Sequence, residues 1–90
     1  RGYRMNLKLH LIKTIDELHV RFYDISLSRT LFGEVVIERI YGNIAFRSHT
    51  GRKLDYIEDS CVALRQFHSI VEQKLKRGYR VRGKYEFKEV

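Results

Sequence analysis

A chain of 90 residues, of which 43% are hydrophobic and 12% aromatic, predicts one folded domain over residues 1–90 and excludes intrinsic disorder. No apolar run approaches the roughly 20 residues that a membrane span needs. The single cysteine, Cys61, excludes an internal disulfide and fits a reducing cytoplasm. The formal net charge of +7 favours an anionic partner, and nucleic acid is the commonest of these. Met5 is a candidate natural first residue, which would make residues 1–4 an N-terminal extension.

Alternating apolar residues predict the first strands. From Met5 to Leu11 every second residue is apolar, which is the period of a half-buried strand. A turn is expected over Thr14–Glu17, and a second strand from about Val20 to Leu27. A loop over Ser28–Gly33 then leads to a third strand, which starts with a β-branched run at Val35.

The third strand is interpreted as continuous from Val35 to Arg47, and its two faces differ. One face carries cations, one aromatic ring and one amide: Arg39, Tyr41, Asn43 and Arg47. The other face is mainly apolar and is expected in the core: Val36, Ile40, Ile44 and Phe46, with Glu38 as its one acid. A tight hairpin at Gly42–Asn43 is the alternative to a continuous strand. Beyond it we expect a turn at His49–Gly51 and a short strand from Lys53 to Ile57.

One long helix is predicted near residues 59–77. Asp59 or Ser60 can cap its N-terminus, and Gly78 lies where a left-handed residue ends a helix. The apolar residues recur at helical spacing and form one buried stripe: Ala63, Leu64, Phe67, Ile70, Val71 and Leu75. Cys61, in the first turn, is expected to pack as a small apolar residue. An edge strand with alternating charges follows from Arg80 to Phe87.

These elements together predict an α+β fold, in which one helix packs across an antiparallel sheet of about five or six strands. The expected core joins alternate strand positions to the helical stripe: Leu9, Tyr23, Ile25, Ile40, Phe46, Ala63, Leu64, Phe67 and Val71.

The end of the helix and the residues after it are the most basic part of the chain. Between residues 74 and 84 there are six cations and no acid: Lys74, Lys76, Arg77, Arg80, Arg82 and Lys84. Cations here also oppose the negative end of the helix dipole, a structural role that needs no ligand. A solvated basic tail is the other explanation. The density of charge favours contact with an anionic partner.

Motifs of catalysis and cofactor binding are missing from the sequence. The four histidines and Cys61 do not have the spacing of metal ligands. Neither a P-loop nor a dinucleotide-binding glycine pattern occurs. Asp55, Glu58 and Asp59 are better explained by a strand end and a helix cap than by a catalytic carboxylate cluster. We therefore expect a protein that is not an enzyme and has no metal, no cofactor and no small-molecule substrate.

Several short motifs occur in an order that resembles a known family. They are Phe22-Tyr23-Asp24-Ile25, Leu31-Phe32-Gly33, Ile40-Tyr41-Gly42-Asn43-Ile44, Gly51-Arg52, Ala63 with Phe67, and Lys74 to Tyr79. Over about residues 7–82 the chain looks like a WGR domain, which is named for a central Trp-Gly-Arg. The resemblance implies an antiparallel sheet crossed by one helix. It also implies a non-catalytic domain of the kind that contacts broken DNA in poly(ADP-ribose) polymerases and that occurs in short bacterial proteins.

The chain departs from the family pattern at two central positions. Tyr41 corresponds to the family tryptophan, and it can still stack with a smaller ring. Asn43 corresponds to the family arginine, and it cannot make the charged, forked contact that arginine makes with phosphate. Arg39 or Arg47 is expected to replace that charge. The turn over Ala45–Gly51 also looks longer than the family turn.

The sequence thus predicts a nucleic-acid-binding module of the cytoplasm or nucleoid, with double-stranded DNA or its ends as the target. The residues expected to contact nucleic acid are Arg39, Tyr41, Asn43, Arg47, Arg52, Lys74, Lys76, Arg77, Tyr79 and Arg80. The alternative is a protein-interaction or regulatory module whose basic face binds an acidic partner. The sequence does not distinguish DNA from RNA.

Overall fold

The computed structural model describes residues 4–89, except for the side chains of residues 4–5, 46–49 and 84–89. Five strands and one helix follow one another along the chain: β1 (Arg4–Thr14), β2 (Val20–Arg29), β3 (Val35–Asn43), β4 (Phe46–Ile57), α1 (Ser60–Lys76) and β5 (Arg80–Glu89). No helix in the described part of the chain is both long and apolar enough to cross a membrane.

The strands form one antiparallel sheet in the order β4-β3-β2-β1-β5, and α1 packs across it. This confirms the predicted α+β fold. The central register places Tyr23 of β2 opposite Leu11 of β1 on one side and opposite Tyr41 of β3 on the other. Directly opposed residues point to the same face of a sheet, so these side chains all lie on the face that α1 covers.

The third strand ends at Asn43, and the prediction of a continuous strand to Arg47 is wrong. Ile44 and Ala45 form the turn into β4, and Asn43 pairs with Phe46 across it. The Asn43 side chain stabilises the turn, because its Oδ1 accepts a hydrogen bond of 2.9 Å from the Ala45 amide.

Consequently the expected turn at His49–Gly51 is also wrong, and of the expected long turn over Ala45–Gly51 only Ala45 lies in the turn. Residues 46–51 belong to β4, which runs from Phe46 to Ile57, although its register with β3 shifts between the pairs Asn43–Phe46 and Tyr41–Gly51. The side chains of Phe46 and Arg47, predicted for the core and for the binding site, lie outside the described residues.

The core lies between α1 and the sheet and is entirely apolar or aromatic. Its buried residues are Leu11, Tyr23, Ile25, Leu27, Val35, Ile37, Ala63, Phe67 and Val71. Leu9, predicted for the core, is partly buried and packs against it. The core uses Val35 and Ile37 of β3, because these residues lie opposite Arg29 and Leu27 in the register with β2.

Several residues predicted for the core lie elsewhere. Ile40 belongs to the alternate set of β3 residues and lies on the opposite face of the sheet, which we call the open face. Val36 is only partly buried for the same reason. On the helix, Leu64 is 40% and Leu75 44% exposed, and Cys61 is exposed rather than packed as a small apolar residue. The helix therefore buries a narrower stripe than its sequence suggests.

The ends of α1 agree with the prediction. The carboxylate of Asp59 caps the N-terminus by accepting hydrogen bonds from the amides of Cys61 at 2.8 Å and Val62 at 3.3 Å. At the other end Gly78 adopts a φ of 102°, a left-handed conformation that few other residues adopt. The chain reverses there, and the Tyr79 amide donates a hydrogen bond of 3.0 Å to the carbonyl of Lys74.

Candidate nucleic-acid interface

An open cleft of about 420 Å³ lies where the C-terminal end of α1 meets the sheet. Side chains from β2, β3, β4 and the end of the helix line it: Arg21, Tyr23, Arg39, Tyr41, Gly42, Asn43, Lys53, Lys74 and Tyr79. Four of these residues are cations, three are tyrosines, and none of the described lining residues is an acid. We call this the aromatic–cationic cleft.

Strand register assembles the cleft from residues that are far apart in sequence. Arg21 lies opposite Asn43, and Tyr23 lies opposite Tyr41, so these side chains share the helix-side face of the sheet. Lys53 of β4 lies opposite Arg39 in the same way. Alternate residues of three neighbouring strands thereby point into one concave surface.

Tyr23 contacts both of the other tyrosines of the cleft. The rings of Tyr23 and Tyr41 are nearly parallel, with 5.7 Å between their centroids and 15° between their planes. Tyr79 meets Tyr23 edge to face, with centroids 6.1 Å apart. Such pairs stabilise one another beyond the burial of their area. The left-handed turn at Gly78 brings Tyr79 into the group, so the cleft depends on the way the helix ends.

Gly51 leaves space for the ring of Tyr41. A Cβ atom at position 51 would meet that ring, with Tyr41 Cζ at 2.7 Å. Tyr41 therefore lies against the backbone of β4, and the side of its ring that faces Gly51 is closed to a ligand. Glycine in a strand often marks such a close approach.

Lys74 lies among aromatic rings and other cations. Its Nζ is 4.4 Å from the ring centroid of Tyr23 and 5.7 Å from that of Tyr79, distances at which a cation is attracted to an aromatic ring. Burial, together with the positive charges of Arg77, Arg39 and Lys13, holds the pKa of Lys74 below its ordinary value. The charged form of Lys74 thus lies in an environment that an anion would stabilise.

Arg39 forms the floor of the cleft. Its Nη2 donates a hydrogen bond of 2.9 Å to Asp55 Oδ2, while its buried Nε has no hydrogen-bond partner in the described part of the chain. Burial lowers the pKa of Arg39, but Tyr23 and Asp55 outweigh it, so the pKa lies above its ordinary value. Burial in turn raises the pKa of Tyr23. Arg39 is therefore charged, and its buried Nε is a donor without a partner among the described residues, which is a costly arrangement.

The family model of the WGR domain matches residues 5–86, nearly the whole chain. This chain belongs to the WGR domain family. WGR domains are known as non-catalytic, nucleic-acid-binding modules. Neither the curated proteins nor the solved structures contain a significant match to the chain.

The tripeptide predicted to correspond to the family Trp-Gly-Arg lies at the cleft. Its residues Tyr41, Gly42 and Asn43 all line the aromatic–cationic cleft. Of the other residues predicted for the WGR interface, Arg39, Lys74 and Tyr79 also line it. The structure therefore brings five of the residues predicted to contact nucleic acid into one cleft.

The remaining predicted residues lie around or away from the cleft. Arg77 caps the helix and lies close enough to lower the pKa of Lys74, whereas Lys76 is exposed on the last turn. Arg52 pairs with Ile40 and so lies on the open face, where its Nε donates a hydrogen bond of 2.7 Å to Glu38. Arg80 lines a separate depression beside Gly78.

Sequence reasoning missed several contributors to the cleft. Arg21 and Lys53 were not proposed for the site, and Tyr23 was assigned to the core alone. Lys13 of β1 also comes near, with its Nζ 5.9 Å from the ring centroid of Tyr79. One signal was available in the sequence. Alternate residues of a strand point to the same face, so Arg21 lies on the same face of β2 as Tyr23.

Proposed function

We propose that this WGR domain binds double-stranded DNA, at or near its ends, and that backbone phosphates enter the aromatic–cationic cleft. The observation that supports this proposal most strongly is the convergence of Arg21, Arg39, Lys53 and Lys74 on one concavity whose described lining contains no acid. Four cations from four different elements do not arise from one basic tail. They form a surface on which a phosphate group would relieve mutual repulsion.

The uncharged side chains of the cleft suit a phosphate as well. The Oδ1 of Asn43 already accepts from the Ala45 amide, so the NH₂ group of the same side chain remains as a donor. The hydroxyls of Tyr41 and Tyr79 are further donors. Contacts of this kind position a protein on the nucleic-acid backbone and do not read the base sequence.

Basic groups outside the cleft are expected to add to the attraction for the DNA backbone. Lys76 and Arg77, at the helix end, are expected to contact phosphates next to the one in the cleft. Arg52 and Arg80 are expected to act through longer-range attraction, which is screened by salt. Arg47, whose side chain lies outside the described residues, stays a predicted contact.

The proposal is tested by fluorescence anisotropy with blunt, nicked and single-stranded DNA at two salt concentrations. Lys74→Gln should weaken binding to every sequence and reduce the salt slope by about one unit. Lys76→Gln is the matched control, because it removes the same charge two residues away, outside the cleft. Lys76→Gln should lower DNA affinity less than Lys74→Gln does. Neutralising Lys76 and Arg77 together, which removes two contacts to neighbouring phosphates, should flatten the salt slope by up to about two units.

Asn43→Arg provides the complementary gain of function. It restores the family residue at a position that lines the cleft, and the added charge should strengthen DNA binding. If Lys74→Gln and Lys76→Gln lower DNA affinity equally, the cleft is not the phosphate site. If no DNA binds to the folded domain, an acidic protein partner becomes the better explanation of the cleft, and competition with such a partner is then measured.

A further inference from the structure

The outer edge of β4 carries the features of an interface. Among the described strands β4 has one neighbour, β3, so the backbone groups along its other edge are unpaired with a strand. Two large apolar side chains on this edge strand are exposed on the open face, Leu54 at 41% and Tyr56 at 59%. An edge strand with exposed apolar side chains is a template for pairing unless its charges oppose it.

The charges on this edge are self-complementary. Within the described side chains of β4, the order is Arg52, Lys53, Leu54, Asp55, Tyr56. Each cation before Leu54 has a counterpart at the same distance after it: Asp55 for Lys53, and Tyr56 for Arg52. Cross-strand pairs between unlike charges stabilise an antiparallel ladder, and pairs between like charges destabilise it.

We propose that the outer edge of β4 pairs, antiparallel, with the same edge of a second copy of this chain, across a two-fold axis at Leu54. An axis perpendicular to the sheet keeps every side chain on its own face. Lys53 then lies opposite Asp55 of the second copy on the helix side. On the open face Arg52 lies opposite Tyr56 of the second copy, and the two Leu54 side chains meet.

Neighbouring registers are unfavourable. Moving the axis by one residue places Lys53 opposite Lys53 of the second copy, or Asp55 opposite Asp55. Moving it to Arg52 places two Arg52 side chains opposite each other. The register centred on Leu54 avoids these like-charge pairs and covers the exposed apolar side chains. Among axes at residues 52–55, the charge pattern therefore favours the one at Leu54.

The groups involved keep the contacts that they already make. Asp55 accepts a hydrogen bond from Arg39, and its side chain is still 46% exposed. Arg52 donates to Glu38, with its side chain 62% exposed. A carboxylate can accept from a second donor, and a guanidinium can lie on an aromatic ring while it holds its acid.

The pairing has a consequence for the arrangement of sites. The two sheets become one continuous sheet with both helices on the same side, and Lys53, which lines the cleft, lies near the axis. Both clefts then face the same side of the dimer. This consequence rests on the proposed function, whereas the pairing itself does not.

The experiment is sedimentation equilibrium of the whole chain, without nucleic acid, over a wide range of protein concentrations. Wild type should show a concentration-dependent monomer–dimer equilibrium. Lys53→Asp should weaken the dimer at least about tenfold, because two attractive pairs become repulsive. The double variant Lys53→Asp with Asp55→Lys restores the pairing with reversed polarity and should return the dimer constant to near that of wild type.

Lys8→Asp is the matched control, since it makes the same change of charge at an exposed residue of β1, away from this edge, and should leave the dimer intact. Leu54→Lys places two like charges at the axis and should abolish the dimer, with folding checked by circular dichroism. A wild type that stays monomeric at the highest attainable concentration overturns the proposal. So does a dimer that is insensitive to Leu54→Lys, or a double variant no better than Lys53→Asp. The DNA titrations above are made at concentrations that give monomer, so the two proposals fail independently.

Discussion

The helix-side face of the sheet has two regions that share a backbone geometry and differ in chemistry. Along β3, Val35 and Ile37 are buried under α1, while the next residues of the same parity, Arg39 and Tyr41, line the cleft. Along β2 the same change occurs between Ile25, which is fully buried, and Arg21. We call the first region the aliphatic half. The second region is the aromatic–cationic cleft, and in this comparison we call it the cleft half.

The difference follows from where the helix ends. Under α1 water is excluded, and apolar side chains gain most from burial there. Beyond the last turn the same sheet face is partly open, and Tyr, Arg and Lys side chains bury their stems and keep their polar ends accessible. The cleft is thus a continuation of the core, and the packing of the aliphatic half holds the cleft half in place.

The largest expected effect is a loss of folding stability, and it arises in the aliphatic half. Phe67 is 1% exposed at the centre of the aliphatic half, and Phe67→Ala should lower the free energy of unfolding by about 3–5 kcal/mol. Leu64→Ala, on the same helix at 40% exposure, is the control and should cost well under half as much. Urea denaturation followed by circular dichroism measures both. Equal losses would show that the buried stripe has been assigned incorrectly.

A smaller effect is expected in the cleft half, on binding rather than on folding. Tyr41→Ala should weaken DNA binding by about 1.5–3 kcal/mol, the usual contribution of a hydrogen bond to a charged group. Tyr23 and Gly51 cover the two sides of the Tyr41 ring, which leaves its hydroxyl as the donor to a phosphate. Tyr56→Ala removes an exposed ring of the same size from the open face and should leave DNA affinity unchanged. Anisotropy titrations with duplex ends provide the measurement. Unchanged affinity in a folded Tyr41→Ala domain would rule out a contact through this ring.

Gly51→Ala should change the cleft without unfolding the domain. The added Cβ would meet the outer ring atoms of Tyr41, which a side-chain rotation can move. We expect a loss of DNA affinity smaller than that of Tyr41→Ala, and a change in the near-ultraviolet circular dichroism of the tyrosines. In a Tyr41→Ala background the same substitution should have little further effect on binding. Additive losses would mean that Gly51 acts on something other than Tyr41.

The smallest effect is a lowered pKa at one lysine of the last helical turns. Lys74 should lose its proton below its ordinary pKa of 10.5, because burial and the neighbouring cations disfavour its charged form. A folded-state pKa below the unfolded one means that the charged form destabilises the fold. Stability should therefore rise as the pH increases through the pKa of folded Lys74.

Nuclear magnetic resonance of the Lys74 side-chain Cε group measures this pKa. Inorganic pyrophosphate, used as an anionic probe, should raise the pKa of Lys74, since an anion stabilises the charged form. If the pKa of Lys74 is not below 10.5 in the free domain, or if the probe leaves it unchanged, then the cleft does not concentrate positive charge as described.

The helix was predictable because its signals are local. Helical spacing from Ala63 to Val71, a capping carboxylate at Asp59 and a left-handed residue at Gly78 together place both ends within a residue of those observed. The first two strands were predictable for the same reason, since one face of each is clearly apolar.

The third strand was not predictable from its pattern. Both of its faces carry β-branched residues, Val35 and Ile37 on one and Val36 and Ile40 on the other, so periodicity gave no reason to prefer either. The turn residues Ile44 and Ala45 are not the glycine, asparagine or aspartate that usually mark a hairpin turn. The local signal was Gly42-Asn43, and it lies just before the turn and not in it. The register with β2 decided which face the helix covers.

The sequence by itself determined the α+β composition, the single helix, the excess of positive charge and the membership of the WGR family. These are properties of local pattern, composition and motif order. Only the tertiary structure decided that Arg21, Arg39, Lys53 and Lys74 would meet around three tyrosines. Such a meeting depends on strand order and register, which long-range hydrogen bonding and core packing select together, and neither is written in the neighbourhood of any one residue.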